Sequence, residues 1–394
     1  MDAMLLLEDG TLFQGRSFTG PGEAFGELVF NTSLTGYQEV ISDPSYAGQI
    51  VLLTASMIGT YGIRRREEES GRVWAEGLVV REYGGRPLSE AAAGGPSERR
   101  PLFARPAYDP QAARGDAMAQ NNPVTGSLAD CLAASRVPGV EGVDTRALTR
   151  HIRDKGAMRC GLTTRTSDPR AFLEKVRASP SMLGRSLVRQ VTTAEPYLYA
   201  EGPGPRIAVL DCGVKARSLF ELARRGCRVE VFPAYTGMRE LLRSRPHGLL
   251  VSNGPGDPAT LPEIVAVAAE ALERLPVFGI CLGHQILAQA LGAGTFKLPF
   301  GHHGSNHPVR EEASGRVFIT AQNHGFAVDP EGLAGGGAEA TLLNLNDRTN
   351  EGLRHRRLPA LGVQFHPEAA PGPHDTLFLF DAFLKMAAEG RARA

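Results

Sequence analysis

Over residues 1–80 the apolar positions fall in short runs parted by turn residues: 4–8, 26–30 with Leu28 and Phe30 on one side, and 49–53 just before Thr54. Asp9-Gly10, Pro21-Gly22 and Asp43-Pro44 punctuate them, a pattern that predicts strands in a β-rich lobe. Residues 84–123 break the pattern, with 11 Gly or Pro among 40 positions and few large apolar side chains. Such a stretch cannot bury enough surface to offset the entropy of ordering and is expected to be a mobile insertion. Periodicity resumes at 127–134, an expected helix, and at 142–158, where Asp144 or Thr145 caps a second.

A Pro/Gly-rich stretch, 194–205, then interrupts the chain. Beyond it apolar strands are expected at 206–211, 228–232, 248–252, 277–280 and 360–365, with helices at 218–225, 239–244, 261–272 and 282–290 between them. Near-continuous apolar strands alternating with helices predict a mostly parallel sheet covered by helices on both faces. The expected organisation is therefore α/β: a β-rich α/β lobe over 1–195, a linker over 196–205, and a second domain over 206–394. Sites in such sheets form at the carboxyl ends of the strands.

Composition narrows the function classes. Of 394 residues, Lys plus Arg and Asp plus Glu each number 43, so the net charge is zero. Neither a nucleic-acid partner nor a membrane surface is expected on that balance. No apolar run approaches the ~18 residues of a spanning helix, and the opening MDAMLLLEDG has no basic n-region of a secretory signal. The five cysteines are odd in number and never form a CxxC pair, which fits a reducing compartment and neither a disulfide framework nor a zinc finger. A soluble cytoplasmic enzyme is the expectation. The run Arg64-Arg65-Arg66-Glu67-Glu68-Glu69 reads as a solvated mixed-charge face.

Candidate chemistry concentrates in the second domain. In Gly279-Ile280-Cys281-Leu282-Gly283-His284-Gln285 a strand runs into Cys281 and a helix begins at once. A nucleophile on such a turn is exposed at the sheet edge, and the helix N-terminus beyond it favours negative charge. The elbow alone leaves open that Cys281 is a buried packing residue. In Gly362-Val363-Gln364-Phe365-His366-Pro367-Glu368 another strand ends in a histidine with a carboxylate two residues on. A thiol nucleophile needs a base, and the base needs a group to orient it, which His366 and Glu368 supply from one rigid turn. Ser252-Asn253-Gly254-Pro255-Gly256-Asp257-Pro258 superficially matches a dinucleotide fingerprint, but two prolines remove backbone donors; its glycines suit bare N–H groups facing an oxyanion beside the Leu282 amide. His302, His303 and His307 lack a carboxylate at ligand spacing, so no metal site is expected.

Together GICLGHQ, QFHPE and SNGPGDP resemble the class I (triad-type) glutamine amidotransferases. The segments 26–51, 142–158, 211–229, 301–309, 321–329 and 364–375 resemble more narrowly the carbamoyl-phosphate synthase small-subunit family, over nearly the whole chain. The resemblance implies that Cys281 attacks the glutamine carboxamide, His366 acts as general acid/base and Glu368 orients it. It implies a glutamine-binding set of Ser45, Gly254, Gly256, Leu282, Gln285, Asn323, Gly325 and Phe326. It also implies a large-subunit partner that uses ATP and Mg to make carbamoyl phosphate for arginine and pyrimidine synthesis, with no cofactor on this chain. The lack of any G-x-x-x-x-G-K-[ST] motif agrees with ATP chemistry on a partner. The insertion at 84–123 is longer than the family's usual connection, and Cys212 stands where the family has an aromatic or other apolar residue. Two other readings stay open on the residues: the amidotransferase subunit of another synthase, of anthranilate or GMP type, and a non-catalytic glutamine-sensing subunit.

Overall fold

The structure is a computed structural model, and it describes residues 1–85 and 124–391. The insertion expected at 84–123 lies, apart from Gly84 and Gly85, outside the described residues. These fall into two compact units, one up to Arg185 and the other from Ser186 onward.

In the first unit, strands β1 (Asp2–Leu7), β2 (Leu12–Ser17), β3 (Glu23–Asn31), β4 (Gln49–Leu53), β7 (Gly77–Val79), β10 (Gly139–Glu141) and β11 (Arg159–Thr163) close into a barrel in the order β1-β11-β3-β4-β7-β10-β2. The short pairs β5 (Met57–Ile58) with β8 (Glu82–Tyr83), and β6 (Ile63–Arg64) with β9 (Val124–Gly126), stand apart from it. Around them lie α1 (Tyr37–Ser42), α2 (Leu128–Ala134), α3 (Thr145–Lys155) and α4 (Pro169–Ala178). Helix α2 is capped by Ser127, whose oxygen accepts from Asp130 N (3.1 Å), and α3 by Asp144, which accepts from Ala147 N (2.9 Å). Val29, Val51, Leu53 and Leu78 from the strands pack with Ile41 of α1 and Leu132 of α2, while Phe172 and Val176 of α4 cover Met4 and Leu6. Glu68 and Glu69 do not belong to a solvated face; both are buried, where the chain passes the end of α1 and the Ser42 hydroxyl accepts from Glu69 N at 3.0 Å.

The second unit is built on one ten-stranded sheet in the order β12-β14-β13-β15-β16-β21-β20-β19-β17-β18. Its strands are β12 (Tyr197–Ala200), β13 (Arg206–Asp211), β14 (Arg228–Pro233), β15 (Gly248–Val251), β16 (Val277–Ile280), β17 (Thr295–Glu311), β18 (Val317–Val328), β19 (Ala338–Asn344), β20 (Asn350–His355) and β21 (Ala360–Val363). Its helices are α5 (Val188–Val191), α6 (Ala216–Ala223), α7 (Met238–Leu241), α8 (Pro262–Leu272), α9 (Leu282–Ala290) and α10 (Phe378–Arg391). Alternate residues of one strand enter opposite cores. Leu210, Leu249 and Val277 pack with α8 and α9, whereas Val209, Leu250 and Phe278 pack with α6 and α10.

Three expectations are corrected here. The sheet is mixed rather than mostly parallel: β14, β13, β15, β16 and β21 run parallel, but β12 pairs antiparallel with β14, and β21-β20-β19-β17-β18 is antiparallel throughout. The antiparallel half carries no such signal because its strands β17 and β18 bury His, Asn and Gln among their apolar residues, so no continuous apolar run marks them. The linker 196–205 contains edge strand β12, whose Tyr197 and Tyr199 pack on the core. Residues 186–195, assigned by pattern to the first lobe, pack in the second: Val188 lies in its core, and Thr193 N donates to Asp211 Oδ2 at 2.7 Å.

The aromatic face under α10 generates a stability prediction. Phe383 is fully buried with its ring 5.5 Å from that of Phe278. Phe383→Ala should cost roughly 3–5 kcal/mol by lost burial plus an unfilled cavity. The denaturant midpoint of purified protein measures it.

Candidate functional site

Strand β16 ends at Ile280 and α9 starts at Leu282, so Cys281 alone makes the turn, at φ 54° and ψ −106°. A non-glycine residue there is strained, and its neighbours show why the turn is so tight. A Cβ on Gly283 would stand 2.0 Å from Val251 O, and one on Gly279 would stand 2.4 Å from Gly283 O. Cys281 N donates to Val363 O on the adjacent strand (2.8 Å), while its Sγ faces Asn323 O at 3.5 Å. All five cysteines are free and buried.

The chain leaving β21, which ends three residues before His366, is bound to β18: His366 N donates to Ala321 O at 2.9 Å. Its ring meets Glu368 through Nδ1 and Oε1 at 2.8 Å, and both side chains are buried. The carboxylate is further compensated by Lys215, whose Nζ lies 3.5 Å from Glu368 Oε1 and donates to the carbonyls of Ala369 (2.6 Å) and Ala370 (2.9 Å). Burial disfavours charge on Glu368, but Lys215 and the imidazole hold its pKa well below the usual carboxylate range. Burial likewise opposes charge on His366, yet the Glu368 charge, the hydrogen bond with Glu368 and the neighbouring Cys281 raise its pKa, to about 10. The ring is therefore a proton donor at neutral pH, with Cys281 on one side and Glu368 on the other.

Lys215 carried no assigned role from the sequence. The available signal was its placement: a cation at the N-terminus of α6, where the helix dipole disfavours it, directly after a buried parallel strand.

The remaining candidates are placed as follows. Gly254 and Gly256 lie in the loop after β15, Gly256 at φ 95°; a Cβ on Gly254 would stand 2.1 Å from Cys212 O and 2.9 Å from Leu282 Cδ2. Leu282 opens α9. Gln285, one turn further on, donates through Nε2 to Phe326 O (2.8 Å) and Gln364 Oε1 (3.1 Å). Asn323 Oδ1 accepts from His303 Nδ1 at 3.0 Å, and Gly325 follows on the same strand. Strand β18 thus brings Asn323, Gly325 and Phe326 to the start of α9. Ser45 belongs to the first unit, on the turn Pro44–Tyr46, with its N–H donating to Asp43 Oδ1 at 2.9 Å.

The fold supplies a carboxylate to the histidine cluster that local spacing did not show. His302, His324 and Glu351 bring ligand-type atoms within 4.8 Å of one another. Each already has protein partners: His302 Nε2 meets Asp347 Oδ2 (2.7 Å), and His324 meets Gln322 Oε1 (3.0 Å) and Phe326 O (2.7 Å). Burial opposes a charge on His302, but Asp347 and Glu351 raise its pKa to about 9.

Similarities to known proteins follow the same division of the chain. The family described as "Glutamine amidotransferase class-I" matches residues 208–386, and "Carbamoyl-phosphate synthase small chain, CPSase domain" matches 5–94 and 114–162. A "Carbamoyl phosphate synthase small chain" of Symbiobacterium thermophilum is 46% identical over 96% of this chain and 97% of its own length. One from Syntrophotalea carbinolica is 43% identical over 99% of both. Among the described residues no helix is long and apolar enough to cross a membrane.

The His366–Glu368 pair sets a pH dependence. A histidine pKa raised on folding contributes stability that is complete below the unfolded value of 6.5 and is lost as pH rises toward about 10. The stability difference between the wild type and His366→Asn should therefore shrink between neutral pH and the alkaline limit of that window. Denaturant titrations of both proteins at the two ends check it; a difference that grows with pH contradicts the assignment.

Proposed function

The chain belongs to the carbamoyl-phosphate synthase small-chain family, and we propose that it hydrolyses glutamine through Cys281, His366 and Glu368 and passes the ammonia to a large subunit. The observation that carries this reading is the strained Cys281 elbow beside a buried, carboxylate-oriented His366. The sulfur attacks the carboxamide carbon as the thiolate, its proton held on His366. Backbone N–H groups of the Gly254–Gly256 loop and of Leu282 receive the developing oxyanion. The C–N bond breaks as His366 gives its proton to the leaving nitrogen, releasing ammonia and leaving a γ-glutamyl thioester. Water then attacks the thioester, losing a proton to His366. The C–S bond breaks, glutamate departs, and thiolate and imidazolium are restored. Gln285, Asn323, Gly325 and Phe326 are assigned to the glutamine site.

The large subunit is assigned the ATP- and Mg-dependent steps that combine ammonia with bicarbonate into carbamoyl phosphate, for arginine and pyrimidine synthesis in the cytoplasm. No cofactor is assigned to this chain.

Cys281→Ser should abolish glutamine-dependent carbamoyl phosphate formation by the assembled complex and spare formation from free ammonia, because only the ammonia source is lost. Assays with each nitrogen donor decide it, and glutaminase activity surviving in the variant moves the nucleophile elsewhere. Coupling gives a second expectation. Ammonia released without a consumer wastes glutamine, and misalignment of about 1 Å can cost 10²-fold in rate. Glutamate release by the chain alone should be slow and should rise at least about tenfold with large subunit, ATP and bicarbonate; equal rates place the control elsewhere.

A further inference from the structure

Two buried polar side chains stand directly before the Gly254–Gly256 loop, and the chemistry above uses neither. Ser252 and Asn253 follow β15, and both are buried. Each reaches across to the turn that follows β13. Ser252 Oγ accepts from Cys212 N at 2.9 Å and donates to Asn253 O at 2.8 Å. Asn253 Nδ2 donates to Gly213 O at 2.9 Å, and its Oδ1 accepts from Lys215 N at 3.3 Å. A main-chain carbonyl only accepts and a main-chain N–H only donates, so both partners fix the same orientation of the amide.

The turn that they grip is itself held. Asp211 Oδ1 accepts from Gly213 N (3.0 Å) and Val214 N (2.8 Å), and Gly213 sits at φ 128°, where glycine is favoured. The loop also meets α9. A Cβ on Gly254 would stand 2.1 Å from Cys212 O and 2.9 Å from Leu282 Cδ2. Gly254 therefore fills a gap between the turn and the nucleophile helix that has no room for a side chain. Removing the Asn253 amide takes a donor from Gly213 O and an acceptor from Lys215 N, and the loop loses its grip on one wall of that gap.

We propose that Ser252 and Asn253 are positioning residues for the oxyanion: they hold Gly254 against the Cys212–Lys215 turn, so that the N–H groups of the loop are in place before charge develops on the carboxamide oxygen. The proposal rests on the glutaminase reading of Cys281. The charge that these residues serve exists only in the tetrahedral states. Their loss therefore weakens the transition state and leaves bound glutamine nearly as before.

The test uses the full chain co-purified with its large subunit, with glutamate release measured without ATP or bicarbonate so that synthesis does not limit the rate. Asn253→Ala should lower kcat at least about tenfold while the KM for glutamine changes less than about threefold. The aldehyde analogue of glutamine, with CHO in place of the carboxamide, supplies a second probe. It adds to Cys281 through a C–S bond, its carbonyl oxygen taking the charge and the thiol proton staying on His366. Its inhibition constant should rise about tenfold, in step with the loss in kcat. Asn253 also touches Lys215, whose Nζ faces Glu368. An effect routed that way moves the pH profile of kcat/KM, whereas an effect on the loop lowers the profile without moving it. Ser252→Ala removes the other tie and should show the same split more weakly; it carries the comparison if thermal unfolding shows that Asn253→Ala does not fold. An unchanged kcat, a KM that rises as much as kcat falls, an unchanged aldehyde inhibition constant or a displaced pH profile overturns the proposal. Amide hydrogen exchange gives a readout independent of activity: faster at Lys215 in Asn253→Ala and at Cys212 in Ser252→Ala. Unchanged exchange at both also overturns the proposal. A wild-type complex that releases no glutamate overturns the glutaminase reading instead, and amide exchange then decides the anchoring of the loop by itself.

Discussion

A Cβ on Gly283 would stand 2.0 Å from Val251 O, and the absence of that one atom lets α9 seat against the end of β15 directly after the turn. With the helix that close, one residue must reverse the chain between β16 and α9. Cys281 does so at a positive φ that costs of order 1–3 kcal/mol. The strain persists because the turn is over-determined: Cys281 N is bonded to Val363 O, and Cys281 O accepts from Gln285 N as the first turn of α9 closes. The same closeness brings the Leu282 side chain beside the Gly254 loop and Gln285 to Phe326. Moving α9 outward by the width of a methyl group would disturb the Cys281 turn, the packing of Leu282 on the Gly254 loop and the Gln285 contact together.

Buried charge is the second constraint, and it is handled in two separate groups. In one, Glu368 is shared between His366 and Lys215, which also ties down the carbonyls of Ala369 and Ala370. In the other, His302 stands between Asp347 and Glu351, and Glu351 accepts from Gln322 and Asn344. Buried pairs of this kind add little net stability over an apolar replacement, but loss of one partner strands the other in a low dielectric. Each group therefore ties its neighbours together: one around His366, the other around strand β18.

What could be read from the sequence was local. Cys281 follows one short apolar strand and His366 stands three residues past another, and Gly279, Gly283 and the His-Pro-Glu turn are close to them in sequence, so chemistry and geometry share one window. Lys215 and Glu351 act on partners brought near only by strand pairing; nothing within a few residues of either announces a carboxylate at 368 or an amide at 322. The antiparallel half was illegible for a related reason. A strand such as β18, with Gln322, Asn323 and His324 buried in succession, has neither the continuous apolar run of a parallel strand nor a clean alternation, because its polar side chains satisfy one another in the interior. Edge strand β12 was hidden by the Pro and Gly flanking it, which read as a linker although Tyr197 and Tyr199 had surface to bury.

The mixed sheet explains why the site sits where it does. Strand β21 is the last parallel strand: it pairs parallel with β16 and antiparallel with β20. Cys281 and His366 therefore leave the carboxyl ends of neighbouring parallel strands, the usual location for chemistry in α/β sheets. A purely parallel sheet would continue beyond β21 with another strand and crossover helix. Here the antiparallel strands double back, and β18 returns across those strand ends, offering Ala321 O to His366 N, Asn323 O to Cys281 Sγ and Phe326 O to Gln285 Nε2. One extended segment thus reaches His366, Cys281 and the first turn of α9 through the carbonyls of Ala321, Asn323 and Phe326. A strand can do this because its rise of about 3.3 Å per residue spreads those carbonyls along one segment, whereas a helix would turn most of them away. The parallel half places Cys281 and His366, and the antiparallel half gives both a common partner in β18.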